Sequence, residues 1–417
     1  MVSQIFVILL LCLNCFGYSY IDNRNLFPLG EKEMFMANTG VALTESSGNV
    51  FYNPAGLALT QATKLSLSSN SYFNSKTEYK SIQILDDTNF PFSTSGSQSI
   101  PSTLVSAWKG EKMAWAFSIL VPHQLKIQDA ALYKTANYET VQVARVQSFQ
   151  ILMIGGTWAG ALSATTRLGG SCFYTTYQTN QQFDFSATPK DSSALKPAVI
   201  NSFFNSEISG GICHVGLQHD VTELLHWGMT VKTPLLTSSK KGTSSQFIQE
   251  PTQGAFKAEG PKEITPQVEI PGELSAGIKL NVSERLKLYS DINYQLEASY
   301  NDGNQLSEKF EHAATFRYSG GVQFKISPKN DLLAGFAYNP SSLKKPESEA
   351  FENYFVGSLG VQSQTENSVL GVGVFIAQSY GEIVNSKLNT SFQETETFKS
   401  EVRTAVTGFL ISSGFSF

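Results

Sequence analysis

The sequence predicts an all-β fold, a transmembrane antiparallel β-barrel of about fourteen strands with an N-terminal hatch inside its lumen. Three observations carry that prediction. Strand-length segments alternate apolar and polar residues with a period of two, the connections between them alternate short and long, and the chain finishes on an alternating segment whose last residue is Phe417. Composition agrees. Only 16% of residues are charged, against about 25% in an ordinary soluble domain. A strand between lipid and a lumen needs only every second residue apolar, so a mean hydropathy of −0.11 is no obstacle. Composition alone also permits a large secreted soluble β-protein. The net charge of −5 and the scattered basic residues give no nucleic-acid surface.

In chain order, residues 1–19 read as an export signal. Ile5 to Phe16 is nearly all apolar, and Gly17-Tyr18-Ser19 supplies small residues for cleavage, although no Lys or Arg precedes the run. The run is too short to span a bilayer, and no later segment reaches the ~20 apolar residues of a transmembrane helix. A lipoprotein anchor at Cys15 would follow a poor Leu13-Asn14.

Residues 20–60 do not alternate and read as a hatch. Glu31 to Thr44 is expected to form a short helix with Met34, Ala37 and Val41 on one side. Asn53-Pro54-Ala55-Gly56 is expected to turn, since Pro fixes φ and Gly tolerates the left-handed region. Irregular backbone at membrane depth is tolerated only when protein or water shields it, which points to the lumen.

Residues 61–417 read as the barrel. Leu274, Ala276, Ile278, Leu280 and Val282 oppose Ser275, Gly277, Lys279 and Asn281. Leu286, Leu288, Ile292, Tyr294, Leu296 and Ala298 oppose Lys287, Tyr289, Asp291, Asn293, Gln295 and Glu297. Phe316, Tyr318, Val322, Phe324 and Ile326 oppose Arg317, Ser319, Gln323 and Lys325. A further segment alternates Leu370, Val372, Val374 and Ile376 with Gly371, Gly373, Phe375 and Ala377. No helix sorts residues this way. Short connections fall at 110–112, 159–163, 218–223, 282–285, 328–330 and 365–367. Long polar ones fall near 81–98, 124–139, 179–199, 242–265, 301–311, 344–351 and 385–397. Tight periplasmic turns opposite long outer loops are the asymmetry of outer-membrane barrels. The first strand should begin near Lys64, and both barrel ends should lie on the periplasmic side. Phe409, Ile411, Ser413, Phe415 and Phe417 share one face of the last strand. The pair Phe415 and Phe417 resembles the signal read by the barrel-assembly machinery.

Gly40-Val41-Ala42-Leu43 with Val50-Phe51-Tyr52-Asn53-Pro54-Ala55-Gly56-Leu57-Ala58 resembles the N-terminal hatch of the long-chain fatty acid transporter (FadL) family of outer-membrane proteins. The loop rhythm and terminal Phe extend the resemblance to the whole chain. It implies a fourteen-stranded barrel in a Gram-negative-type outer membrane, with Asn53, Pro54 and Ala55 in the hatch beside a closed passage and Gly56 as their turn partner. It implies passive uptake of long-chain fatty acids or other hydrophobic compounds such as hydrocarbons, with no cofactor and no catalysis. The molecule would enter an outer vestibule, the hatch would shift, and an opening in the wall would release the molecule sideways into the membrane. The implied partners are those molecules, outer-membrane lipid and the barrel-assembly machinery. A similar Asn-Pro-Ala-Gly step also occurs in barrels that shuttle secreted proteins, and a general diffusion pore is a further alternative.

Other chemistry finds little support. Cys213, His214 and His219 suggest a metal, but in a strand Cys213 and His214 point to opposite faces and His219 falls in a turn. Cys172 and Cys213 could bridge or stay free. The five His residues lack an evident Ser partner, and no G-x-S-x-G elbow occurs. Lys279, Lys287, Asp291, Glu297, Arg317 and Lys325, all expected to face inward, read as the charged lumen of a plugged barrel. Lys240-Lys241 reads as a solvated loop edge, and Trp108 and Trp115 as part of an interfacial aromatic girdle.

Overall fold

The computed structural model describes residues 29–44, 46–60, 63–85, 88–191, 197–249, 256–266, 270–301, 309–344, 351–388 and 394–417. Residues 1–19, expected to be an export signal, and residues 20–28 lie outside them. From the first strand onward the chain is nearly all sheet: β1 (Lys64–Leu85), β2 (Thr88–Lys109), β3 (Met113–Tyr133), β4 (Tyr138–Ala161), β5 (Thr166–Pro189) and β6 (Ala198–Asp220). Then come β7 (Leu225–Lys232), β8 (Leu236–Gln249), β9 (Phe256–Ile264), β10 (Glu273–Asn281), β11 (Leu286–Gln295) and β12 (Ala298–Asn301). The last are β13 (Lys309–His312), β14 (Thr315–Ser327), β15 (Asn330–Asn339), β16 (Phe351–Gln364), β17 (Ser368–Leu388) and β18 (Glu394–Ser416).

These segments close into a fourteen-stranded antiparallel barrel. β6 pairs its outer half with β8 and its inner half with β7, so β7 and β8 are one strand broken at Thr233-Pro234-Leu235. β9 and β10 are likewise two pieces of the next strand. β12 continues β11, and β13 leads into β14. β18 pairs with β1 in the register Lys64↔Ser416, which shuts the cylinder. Closure removes the sheet edges that lipid could not satisfy.

The two faces sort as the alternation requires. Leu274, Ile278, Phe316, Tyr318, Leu370, Val372 and Phe409 stand exposed on the outside, where in water they would form an apolar belt far beyond a normal surface patch. Trp108, Trp115 and Trp158 lie in register across β2, β3 and β4 near their periplasmic turns, exposed outward. Asp291 and Arg317 are buried inside. Glu297 and Lys325 are exposed, Glu297 just beyond the end of β11 at Gln295 and Lys325 near the end of β14, in step with the buried Gln323.

The short turns fall where expected, within three residues. The long loops are largely not loops. In place of the connection at 81–98, β1 runs to Leu85 and β2 begins at Thr88, and β5 reaches Pro189 before β6 starts at Ala198. Above the hydrocarbon both faces of a hairpin are wet. Polar residues then fill both, and the ladder continues without the alternation that would reveal it.

Residues 29–60 fill the lumen against β4–β7 on one side and β14–β17 on the other. The expected helix from Glu31 to Thr44 is not there. A single 3-10 turn covers Glu33–Met36 and ends at Ala37 and Asn38, both with positive φ. A straight helix would place Met34, Ala37 and Val41 on one side only. The observed kink lets Phe35, Met36 and Val41 each meet a different stretch of wall. A one-turn helix, α1 (Asn49–Tyr52), and a 3-10 helix over Pro54–Leu59 follow.

Candidate functional site

Asn53 opens the Pro54–Leu59 helix as its N-cap. Its Oδ1 accepts from the Ala55 N–H at 3.1 Å, and Pro54 occupies the first turn, where a missing N–H costs nothing. Its Nδ2 donates to the Val41 carbonyl at 2.7 Å and to the Leu217 carbonyl of β6 at 3.1 Å. One buried amide thus ties two parts of the plug to each other and to the wall. The wall is shaped for this contact. A Cβ on Gly216 would lie 2.0 Å from Asn53 Oδ1, and one on Gly169 would lie 2.5 Å from the Pro54 carbonyl carbon. Gly56 does not adopt a left-handed φ as the turn reading supposed. It is small because a Cβ would meet Asn49 Nδ2 at 2.5 Å and the Leu43 carbonyl at 2.6 Å.

Further bonds fasten the plug around its circumference. Asp291 of β11 accepts from the Gly40 and Val41 N–H groups at 2.7 and 2.9 Å. Gln218 of β6 donates to the Val41 and Leu43 carbonyls. Thr230, Ser171 and Ser358 add one bond each, to Tyr52, Val50 and Ala37. Within the plug, the Glu33 carboxylate is fully enclosed. It accepts from Ser46 Oγ at 2.8 Å, and burial pushes its pKa up to about 7. A charge there is stabilised by too few donors to offset the loss of water.

Above the plug the lumen carries two apolar clusters, with buried polar side chains such as His123, Arg145, Gln147 and Glu352 among the inward-facing residues. Tyr79, Phe92, Tyr138, Phe183, Phe185 and Ile248 line its outer end. Phe149, Ile151, Met153, Tyr177, Ile208 and Ile212 line the stretch below and meet Phe51 on top of the plug. A cavity of about 40 Å³ lies there, lined by Phe51, Pro122, Ile151, Met153, Ile212, His214, Lys232 and Ile270, among others. At its floor Lys232 pairs with Glu273 at 3.0 Å and sits 4.2 Å from the Phe51 ring centroid. Arg317 also bonds Glu273.

The wall beside this cavity is interrupted. Among the described residues β2 and β3 pair from Lys109↔Ala114 to Thr103↔Leu120, although β2 stays paired with β1, and β3 with β4, almost to their outer ends. The ladder between β3 and β4 slips between Leu120 and His123. Leu120, Val121, Pro122 and His123 are all buried in succession. Alternation forbids that in a flat strand, so β3 bends into the lumen here and leaves a window next to β2. Near the outer ends, Tyr133 Oη donates to the Pro91 carbonyl at 2.7 Å and the Ser95 N–H to Asp129, closing the window from above.

The sequence singled out Asn53 to Gly56 as a turn and grouped Asp291 with ordinary lumen charges. It missed Lys232, Glu273, the paired glycines and the window. Pro122 inside a strand was the available signal, because a proline leaves the ladder one donor short. Cys172 and Cys213, left open, face each other across β5 and β6 and form a disulfide. His214 packs between Phe51 and Phe173, and His219 bonds Thr166. Phe415 and Phe417 face outward at the seam, where the Phe417 N–H donates to the Thr63 carbonyl.

Comparison with known proteins fits this geometry. No curated protein matches. Among solved structures, a Pseudomonas aeruginosa FadL homologue aligns with a TM-score of 0.69 at 11% identity, covering 94% of this chain and 100% of its own. The toluene transporter TodX of P. putida aligns at 0.62 and 12%, covering 94% and 99%. The CymD monoaromatic hydrocarbon channel aligns at 0.59 and 16%, covering 94% and 98%. At these identities the likeness is one of fold. The family model described as outer membrane protein transport protein (OMPP1/FadL/TodX) matches residues 33–351, most of the chain including plug and window, and the chain belongs to that family of outer-membrane proteins.

Proposed function

We propose that this chain carries small hydrophobic molecules, long-chain fatty acids or aromatic hydrocarbons, passively across the outer membrane. The carrying observation is the pair of apolar clusters, one at the outer end of the lumen and one around the cavity above Phe51, beside the β2–β3 window. Apolar surface gains about 25 cal/mol per Å² on leaving water, so such a route favours a hydrophobic solute over ions and sugars. The plug blocks the straight path, which leaves the window as the way out into the membrane. In this reading residues 20–60 are the hatch, Asn53, Pro54, Ala55 and Gly56 hold it shut, and residues 61–417 are the barrel. Phe415 and Phe417 serve recognition by the barrel-assembly machinery. The hydrocarbon channels among the structural relatives support the aromatic class. The FadL homologue supports the family's fatty-acid branch.

The test is a titration of the protein in lipid nanodiscs with a fluorescent fatty acid analogue, with unlabelled oleate and toluene as competitors and empty nanodiscs as control. Saturable binding displaced by one competitor would support transport and choose the class. A signal no greater than empty nanodiscs would remove the reading, and pull-down of secreted partners and conductance would then test the shuttle and the pore.

A further inference from the structure

One stretch of the outer rim, across β17, β18 and β1, is crowded with charge. On β18 the outward face carries Phe417, Phe415, Ile411 and Phe409, and then changes to Thr407, Ala405, Arg403 and Glu401. Phe409 to Phe417 is about the length a tilted strand needs to cross hydrocarbon, so Arg403 stands at headgroup height. β17 changes at the same level, from Ile376 to Gln378 and Tyr380. The ladder sets Arg403 between Tyr380 and Glu78 of β1, with the guanidinium 5.6 Å from the Tyr380 ring centroid. Exposed side chains here are Lys76, Lys80, Lys399 and Arg403, with Glu78, Glu382 and Glu401. That leaves one positive charge in excess, on a chain whose net charge is −5. Across the barrel, beyond the exposed Tyr174, the outward residues include Gln178 and Asn180 on β5 and Asn205 and Glu207 on β6, none of them a cation.

A cavity of about 530 Å³ opens within the charged stretch. Glu78, Lys80, Pro91, Ser93, Glu401 and Arg403 line it, while Tyr79 and Phe92 between them are buried toward the lumen. It lies at a bulge. The β1–β2 register runs Tyr79↔Phe92 and then Gln83↔Phe90, so Lys80 to Ile82 oppose Pro91 alone, and such an insertion bends the strand. The charges at its mouth are loosely joined. Glu401 lies 3.7 Å from Lys80 Nζ and 3.5 Å from Arg403, whereas Glu78 meets Lys76 at 2.6 Å. Exposed pairs contribute about 1 kcal/mol or less, so a better anion can draw both cations from Glu401 at small cost.

We propose that this cavity seats the headgroup of a phosphorylated glycolipid of the outer leaflet. Arg403 presents a fork that fits two phosphate oxygens, and Lys80 adds a point charge beside it. Glu78, Glu401 and Ser93 accept from sugar hydroxyls. The volume falls in the range of small-molecule sites, about 300–1,000 Å³, and far exceeds what a lone ion fills. The apolar belt supplies the rest of the argument. Any lipid whose tail packs on Phe409 and Ile376, both exposed, carries its headgroup to the level of Arg403. One excess charge facing water holds a free anion weakly, but a headgroup anchored in the membrane arrives at high effective concentration. The site requires only that the barrel sit in the outer membrane, and it is independent of what passes through the lumen.

Native mass spectrometry of the full chain in detergent, titrated with bis-phosphorylated lipid A, tests this. Replacing both cations, Lys80→Gln with Arg403→Gln, should weaken lipid A binding by about tenfold or more. Lys126→Gln with Lys241→Gln, which removes two exposed cations elsewhere on the outer strands, should leave it unchanged. Glu401→Gln should tighten binding several-fold by removing the competing carboxylate, an effect that no folding defect imitates. Parent-like binding in the first double variant, or an equal loss in both, overturns the site. Displacement of lipid A by an equal concentration of inorganic phosphate overturns the glycolipid in favour of a free anion. Phosphatidylethanolamine bound as tightly as lipid A overturns it in favour of an ordinary phospholipid.

Discussion

Replacing Asn53 with Ala should loosen the plug without unfolding the barrel. The side chain is wholly buried and makes three hydrogen bonds, to the Ala55 N–H and to the Val41 and Leu217 carbonyls. Loss of an N-cap costs ~1 kcal/mol, and each carbonyl left without its donor adds ~1 kcal/mol or more. The Val41 carbonyl keeps Gln218, 3.2 Å away, which reduces its share. The sum is about 3 kcal/mol against the docked plug. At 1.4 kcal/mol per tenfold, the population with the plug displaced should rise about a hundredfold. The barrel ladder does not involve Asn53, so heat-modifiable migration in detergent gels should be nearly unchanged. Single-channel recording in planar bilayers should show rare openings in the parent protein and frequent ones in Asn53→Ala. Gly216→Ala, which sets a Cβ 2.0 Å from Asn53 Oδ1, should act in the same direction by steric means. Parent-like conductance in both variants, with both folded, would refute the argument that this contact holds the plug.

Four further outcomes are expected. The Glu33 pKa is raised from 4.5 to about 7 by burial, so the docked plug binds the proton more tightly than a solvated one. Docking should then weaken as pH rises from about 4.5 to about 7, by about 3 kcal/mol in all, and level off above; conductance across that range should increase in the parent and stay flat in Glu33→Gln. Ile151→Asp should place a carboxylate in the apolar passage and weaken a hydrophobic ligand at least tenfold in the nanodisc titration, because the ~2 kcal/mol that an apolar side chain of this size supplies there is removed. Replacing Cys172 and Cys213 together with Ser should lower the unfolding temperature, since the link closes a 41-residue separation worth ~4 kcal/mol in the unfolded chain, while ligand titration is unchanged because both side chains point away from the lumen. Phe417→Ala should reduce the fraction of folded barrel recovered from membranes, measured by gel mobility, without altering binding by what is recovered.

The parts of this molecule that lipid constrains were legible. Leu288 and Ile292 alternate with Tyr289 and Asp291 because one face meets hydrocarbon and the other the plug, and the strand bounds followed. The hairpins above the membrane were misread as loops because no such demand acts on 81–98 or 179–199. Within the site, Asn53-Pro54-Ala55-Gly56 stood out through local chemistry. Its role depends on Gly216 and Gly169, more than a hundred residues away, whose smallness has meaning only once Asn53 and Pro54 are set against them. Asp291 was visible as a charge, but its two bonds to Gly40 and Val41 depend on tertiary placement. The Glu31–Thr44 helix failed because the pattern of Met34, Ala37 and Val41 fits a helix, whereas a narrow lumen rewards a kinked chain that can touch several walls.

The closure between β1 and β18 bears on how the molecule comes into being. Ser66 and Ser413, bonded across that seam, lie 347 residues apart in the chain. Topologies dominated by such remote pairings form slowly, because the entropy of bringing the ends together is lost before any contact compensates. No cylinder exists until the last strand has been delivered, so the growing sheet has a raw edge at each end during that interval. The plug residues precede β1 and sit against strands on nearly every side, so they must already be inside the curling sheet when its two ends meet. Assembly of this chain is therefore a matter of order in time: wrap around the plug first, then zip.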